Sequence, residues 1–312
     1  MYFYRCYGLT IASECALPFL QADPAQPIDL FIAFGAIHTA LEVMTPIGLG
    51  LHCSPDKIIL SVHGIARYEI LRANQIIIEA DPTVDQTSML NFLIAAAIPY
   101  FIVLQNQCLV LRGCAFSIDG ESAHIIVGNS GAGKSSVLAA LCKSDVPVLS
   151  DQWCVVSFDK ENLPRVEFGF PQIKLWKKTL TLLSMEATSL ARPTVRRYLW
   201  TVPENFFISR ALPIATIFTL TEQNLKCDVL CTIMRGAKKL NKINQFQLCP
   251  RFIDILQAEK INAYQKNNMK KIIQVLNAVT LYHLIRIGGL TSLSETKSLI
   301  LKTLSARTVS VE

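Results

Sequence analysis

Eight consecutive residues, Gly128-Asn129-Ser130-Gly131-Ala132-Gly133-Lys134-Ser135, have the types and the spacing to hold a polyphosphate. They fit G-x-x-x-x-G-K-[ST], in which small residues let backbone N–H groups close around phosphate oxygens. Lys134 brings a mobile positive charge to the terminal phosphates, and Ser135 offers a hydroxyl to a magnesium ion. Ser136 continues the cradle. Phosphoryl transfer needs such a cradle, a metal, and a group that positions or deprotonates the acceptor. Asp151 supplies the third. It closes the apolar stretch Val146-Pro147-Val148-Leu149-Ser150 and lies sixteen residues beyond Ser135. It can bind Mg2+, directly or through water, or act as base on an acceptor hydroxyl, and both roles stay open.

The elements around these residues must place them. Ser122–Val127 reads as a short buried strand and Ser135–Lys143 as a helix, the strand-loop-helix context that the motif requires. The helix N-terminus then turns its partial positive charge toward the phosphates. Val146–Asp151 reads as a second strand, so a crossover brings its tip beside the loop. Cys108–Leu111 and Cys114–Ile118 read as strands with Asp119-Gly120 as a hairpin turn. Further strands are expected at Trp153–Phe158, Ile214–Leu220 and Leu281–Ile287. Helices are expected over 172–185, as a pair over 252–279, and from about Ser292. These elements form an α/β unit over residues 107–312.

Residues 1–106 read as a smaller, mostly β N-terminal domain with no visible chemistry. Strands are expected at Tyr2–Thr10, Ile28–Phe34, Lys57–Val62, Ala66–Leu71 and Ile76–Ala80, with a turn at Asn74-Gln75. Asp85 then caps an apolar helix from Ser88 to about Gln105, bent near Pro99. No internal repeat or low-complexity segment is present.

Composition narrows the function classes. The chain has 312 residues, 51% of them hydrophobic and 17% charged, which permits a sizeable core and excludes disorder. A net charge of +6 suits an anionic ligand, and no dense Lys/Arg block with interleaved aromatics argues for nucleic acid. Ten scattered cysteines form no C-x-x-C pair, which reads as reduced thiols rather than a disulfide framework. Met1-Tyr2-Phe3-Tyr4-Arg5 lacks the layout of a secretory signal. The apolar run Phe92–Leu104 is shorter than a bilayer-spanning helix and contains Pro99. The expectation is a cytoplasmic protein with no membrane partner. Arg196-Arg197 and Lys238-Lys239 read chiefly as solvated basic pairs, His124 as a packed core residue, and Trp153 and Trp176 as core rather than adenine stackers.

Leu111-Arg112-Gly113-Cys114-Ala115-Phe116, Asp119-Gly120, Gly128 to Ser136 and Leu149-Ser150-Asp151, taken in order, resemble the kinase domain of the HPr kinase/phosphorylase family. More closely, the chain is similar to the HPr-kinase-like proteins found with ribosomally made peptides, including lasso peptide kinases. The opening Tyr4 to Glu14, the stretch Gly169 to Trp176, and Tyr282-His283-Leu284 extend that resemblance over most of the chain. It implies a P-loop kinase domain related to HPr kinase and phosphoenolpyruvate carboxykinase, using ATP and Mg2+ to phosphorylate a serine of a peptide or protein. In lasso peptide members the acceptor is the C-terminal serine of the precursor. Asp151 matches the first of two adjacent family acids, the base for the serine hydroxyl. Two positions depart from the family: Arg112 stands where a histidine is common, and Gln152 where a second acid is common. Arg112 can pair with phosphate but cannot act as an acid or base, and Gln152 brings no charge to a metal. A non-catalytic nucleotide sensor and a small-molecule kinase or ATPase are the rival readings. The sequence names neither the acceptor nor the oligomeric state.

Overall fold

The computed structural model describes residues 1–18, 20–48, 50–192, 197–223, 229–234, 243, 245–246, 262–287 and 289–308. The chain divides into two compact units. The first holds Met1–Val110, Val155–Ser157 and Gln247–Ile272, and the second holds Leu111–Cys154, Phe158–Phe246 and Ile273–Glu312.

The first unit is built on a nine-stranded sheet. Its strands are β1 (Tyr2–Cys6), β2 (Leu9–Ser13), β3 (Leu20–Gln21), β4 (Leu30–Phe34), β5 (Thr45–Gly48), β6 (Leu51–Cys53), β7 (Lys57–Val62), β8 (Ala66–Leu71) and β9 (Gln75–Ala80). They lie in the order β3-β1-β2-β4-β9-β8-β7-β6-β5. The strand expected over Tyr2–Thr10 is instead a hairpin. Tyr7 and Gly8 take left-handed φ of 56° and 75° and turn β1 into β2. Between Lys57 and Leu71 the sequence pattern and the strands coincide, because alternating aliphatics meet in an antiparallel register from Lys57↔Leu71 to Val62↔Ala66.

A continuous helical stretch follows: α1 (Gln86–Phe92), a π-helical turn at Leu93–Ala97, and α2 (Ile98–Gln105). Asp85 caps it as expected, its carboxylate accepting the Ser88 N–H at 2.8 Å. Pro99 has no N–H to bond back into the preceding turn, which is itself helical. The distortion therefore precedes the proline and takes the form of the π turn. The stretch Gln86–Gln105 is 20 residues long, so it is long and apolar enough to cross a membrane, contrary to the shorter run expected. However, 56% of that apolar window is buried within the protein, and the Tyr68 hydroxyl of β8 donates to Met89 O at 2.7 Å. Asn106 ends α2 in the left-handed region. Its carbonyl accepts a hydrogen bond from Lys271 Nζ at 2.6 Å. Burial lowers the Lys271 pKa to about 8.

The second sheet has β10 (Leu109–Phe116), β11 (Ala123–Gly128), β12 (Val148–Ser150), β13 (Trp153–Phe158), β14 (Pro164–Val166), β18 (Leu212–Gln223), β19 (Leu230–Ile233) and β20 (Thr280–Ile287). A separate three-stranded sheet contains β15 (Gln172–Trp176), β16 (Ser189–Arg192) and β17 (Arg197–Thr201). Among the described residues the further α-helices are α3 (Lys134–Cys142), α4 (Lys177–Leu182), α5 (Asn262–Ala278) and α6 (Leu293–Thr308). The buried core of the second unit joins α3 to Cys114, Ile126, Phe218, Leu220, Tyr282 and Leu284 of the sheet and to Ile300 and Leu304 of α6.

Two expectations change here. Leu109–Phe116 is one strand, not two. The apparent break at Gly113 is a position where a side chain would meet Ile126 O at 2.7 Å. Residues 172–185 begin as the strand β15, with the short α4 after it. Residues 252–261, expected to begin a helix pair, lie outside the described residues.

Replacing the Asp85 cap tests the entry to the apolar helix. Asp85→Ala costs about 1 kcal/mol of stability at neutral pH, measured by thermal unfolding. The Ser88 bond lowers the Asp85 pKa. That stability is therefore present above the ordinary aspartate value and is lost as pH falls through the lowered one, so the two proteins converge in acid.

Candidate phosphate-binding and transfer site

Strand order decides where the chemical groups meet. β10 lies antiparallel to β11, with Gly113↔Val127 and Ala115↔Ile125, and antiparallel to β12, with Ala115↔Ser150. β11 and β12 therefore run the same way on either side of β10. The residues that follow each, the loop at 129–133 and Asp151, emerge at one edge of the sheet. β18 and β20 continue parallel to β11, with Gly128↔Leu220 and Leu220↔Leu284. This edge is thus formed by carboxyl ends of parallel strands, the usual place for a ligand in an α/β sheet.

The loop depends on two of its glycines. A side chain at Gly128 would lie 2.7 Å from the carbonyl oxygen of Leu220, so β11 can approach β18 there only without one. Gly133 has φ of 89°, and a Cβ there would collide with Nη1 of Arg286. Asn129, Ser130 and Gly131 are exposed, while Ala132 is buried against the core. α3 begins at Lys134, directly after the loop, which aims its N-terminal N–H groups at whatever the loop holds.

Lys134 is 9% exposed. Its Nζ donates to Gly128 O at 2.8 Å and Asn129 O at 2.9 Å, which fixes the ammonium over its own loop. Two of its three donors are engaged this way, leaving one for a phosphate oxygen. Burial lowers its pKa, with Cys114 and Asp151 opposing and Arg112 adding to the fall.

Asp151 is 2% exposed and both its oxygens are engaged. Oδ1 accepts the Ser135 hydroxyl at 2.8 Å, and Oδ2 accepts the Lys174 N–H at 3.0 Å. Burial raises its pKa, against the hydrogen bonds from Lys174, Ser135 and Gln152 and the charge of Lys134. The Lys174 bond comes from β15, so the strand missed in the sequence is the one that orients the acid. Ser136 turns its hydroxyl away, to Thr179 Oγ1 at 3.1 Å.

The remaining candidates separate clearly. Arg112 is exposed, with its guanidinium over the Trp153 ring at 5.3 Å from the centroid. Gln152 takes a left-handed φ of 72° and its carbonyl accepts the Gly113 N–H at 3.1 Å, so its backbone locks the acid-bearing turn to β10. His124 packs beside Phe116, as expected of a core residue. Trp153 is buried, but Trp176 is 46% exposed beneath the Arg197 guanidinium and is not a core residue. Arg196, Lys238, Lys239, Cys227 and Cys249 lie outside the described residues. Two thiols flank the site. Burial raises Cys114 well above its ordinary value and pushes Cys154 up to about 12, so neither is a thiolate at neutral pH.

Among the described residues no cluster of three or more His, Cys, Asp or Glu side chains could hold a metal. The oxygen pair of Ser135 and Asp151 fits Mg2+ nonetheless, since that ion commonly uses one or two protein oxygens and completes its shell with phosphates and water.

Asp151→Asn tests the buried carboxylate. Its raised pKa means that its contribution to stability is present below the ordinary aspartate value and is lost as pH rises through the folded value. The variant is expected to unfold at a higher temperature than the parent at pH 8. The difference should shrink as pH falls toward the ordinary carboxylate range, read by calorimetry across pH.

No protein-family model matches the chain, and no curated protein matches it. Among solved structures it is similar to the Hpr(Ser) kinase/phosphatase from Coxiella burnetii, at 10% identity and a TM-score of 0.35, over 65% of this chain and 94% of that chain.

Proposed function

We propose that the chain is an ATP-dependent kinase of the HPr-kinase-like type that transfers a phosphoryl group to a serine hydroxyl of a peptide or protein. The observation that carries this reading is the 2.8 Å hydrogen bond between Ser135 Oγ and Asp151 Oδ1. It brings the motif's hydroxyl and a buried carboxylate together beside Lys134, an arrangement that supplies oxygens for the metal, a base for the acceptor and a cation for the phosphates. The loop N–H groups from Gly128 to Ser136 and Lys134 bind the phosphates. Ser135 and Asp151 hold Mg2+, which neutralises charge on the phosphates when bound. Asp151 also orients the acceptor hydroxyl and takes its proton. Burial helps that second role, because a carboxylate with a raised pKa is a stronger base near neutral pH.

A precursor of the lasso peptide kind is the acceptor we favour, on the resemblance of the motifs around Arg112 and Asp151. We also place the protein in the cytoplasm, which accords with eight described cysteines that are all free thiols. A second reading, a nucleotide-binding regulator, is favoured by Arg112 being stacked on Trp153 and by the uncharged Gln152 beside the acid.

The test is mass spectrometry of candidate peptides incubated with the protein, ATP and Mg2+. Transfer adds one phosphoryl group to a serine, stops on chelation of the metal, and falls about a hundredfold or more in Asp151→Asn. Nucleotide binding without modification of any peptide or turnover of ATP would establish the regulator instead. Lys134→Ala is expected to weaken ATP binding about tenfold or more, measured calorimetrically. Unchanged affinity in that variant removes the kinase reading altogether.

A further inference from the structure

Among the buried charges that the catalytic scheme leaves unused, one lies beside the phosphate loop. Arg286 is 2% exposed. It stands near the carboxyl end of β20, where Glu222↔Arg286 is two registers beyond the Leu220↔Leu284 pair that aligns with Gly128. Tyr282, Leu284 and Arg286 alternate onto one face of β20. The first two join the core beneath α3, so the arginine ends that column at the edge where the loop sits. Its guanidinium lies against Gly133, close enough that a Cβ there would collide with Nη1. Nε donates to Ile287 O at 3.3 Å and Nη2 to Gly289 O. Gly289 is itself tied down, its N–H donating to Glu222 Oε1 at 3.0 Å.

We propose that Arg286 is a positioning cation of the phosphate loop, seating its Gly133 end and adding a second buried positive charge to the site of a nucleoside polyphosphate. This rests on the nucleotide-binding reading above. The physical reason is the cost of putting the charge there. Burial disfavours the guanidinium, and the carboxylate beside it, Glu222, is exposed and offsets only part of that cost. An apolar side chain of similar length would fill the space at less cost. Such a side chain could neither donate to the Ile287 and Gly289 carbonyls nor bring positive charge to an anion in the loop. The fork geometry also matters, because two guanidinium nitrogens donate to the Ile287 and Gly289 carbonyls while Nη1 lies against Gly133.

The experiment measures the dissociation constant for Mg2+–ATP at fixed salt, together with unfolding temperature in the absence of nucleotide. The parent is compared with Arg286→Met, Arg286→Lys and Glu222→Gln. Arg286→Met should bind about tenfold or more weakly while remaining folded, and Arg286→Lys should fall between it and the parent. Glu222→Gln keeps an acceptor for the Gly289 N–H and removes a negative charge beside Arg286. It should bind about two- to fivefold more tightly, and that gain should shrink when Arg286 is also Met, a coupling that a purely structural arginine would not produce. Folded Arg286→Met with parental affinity, or Glu222→Gln with unchanged affinity, overturns the proposal and leaves the nucleotide reading intact. If Arg286→Met does not fold, the Lys and Gln variants decide. A parent chain that binds no ATP overturns both.

Discussion

The hydrogen bond from Ser135 to Asp151 joins two segments sixteen residues apart, and it exists because β10 is held between β11 and β12. Without that strand order the loop and the acid would leave the sheet at unrelated places. With it, hydroxyl, ammonium and carboxylate converge with no long side chain having to span a gap. The backbone of Gln152 adds to this by bonding to Gly113, which fixes the turn carrying Asp151 to the same central strand. The side chain at 152 brings no charge to the site, but its main chain holds the turn in place.

Electrostatically the site is costly. Burial lowers the pKa of Lys134 and of Arg286 and raises that of Asp151, so each charge is held at a cost. Opposite charges in the neighbourhood offset only part of this. A protein selected for stability alone would fill these positions with apolar groups. Holding several desolvated charges ready around one loop makes sense where a polyphosphate and its metal complete the balance, since fixed charges in a dry site act strongly and need no reorganisation.

The parts of this arrangement legible in the sequence were those governed by local rules. The loop, its flanking strand and helix, the acid at a strand end and the Asp85 cap all follow from short-range patterns, and the structure places each where the pattern predicts an element. The misreadings occur where a distant neighbour decides. Gly113 reads as a break, yet it is a glycine because Ile126 O leaves no room. Gln172–Trp176 has the length and composition of a helix start, but pairing with β17 makes it a strand. Trp176 was expected inside on hydrophobicity, and Arg197 covers it at the surface. Arg286 is a single charge in an apolar run, which a sequence shows but cannot interpret without knowing that β20 ends beside Gly133.

The contact between Gly133 and Arg286 ties together two positions more than 150 residues apart, but the dependence runs one way. The left-handed φ of 89° holds residue 133 to glycine whatever stands at 286, whereas the guanidinium can rest on the loop only while residue 133 stays bare. In an alignment of descendants, the arginine should therefore be found only beside the glycine, while the glycine can outlast the arginine.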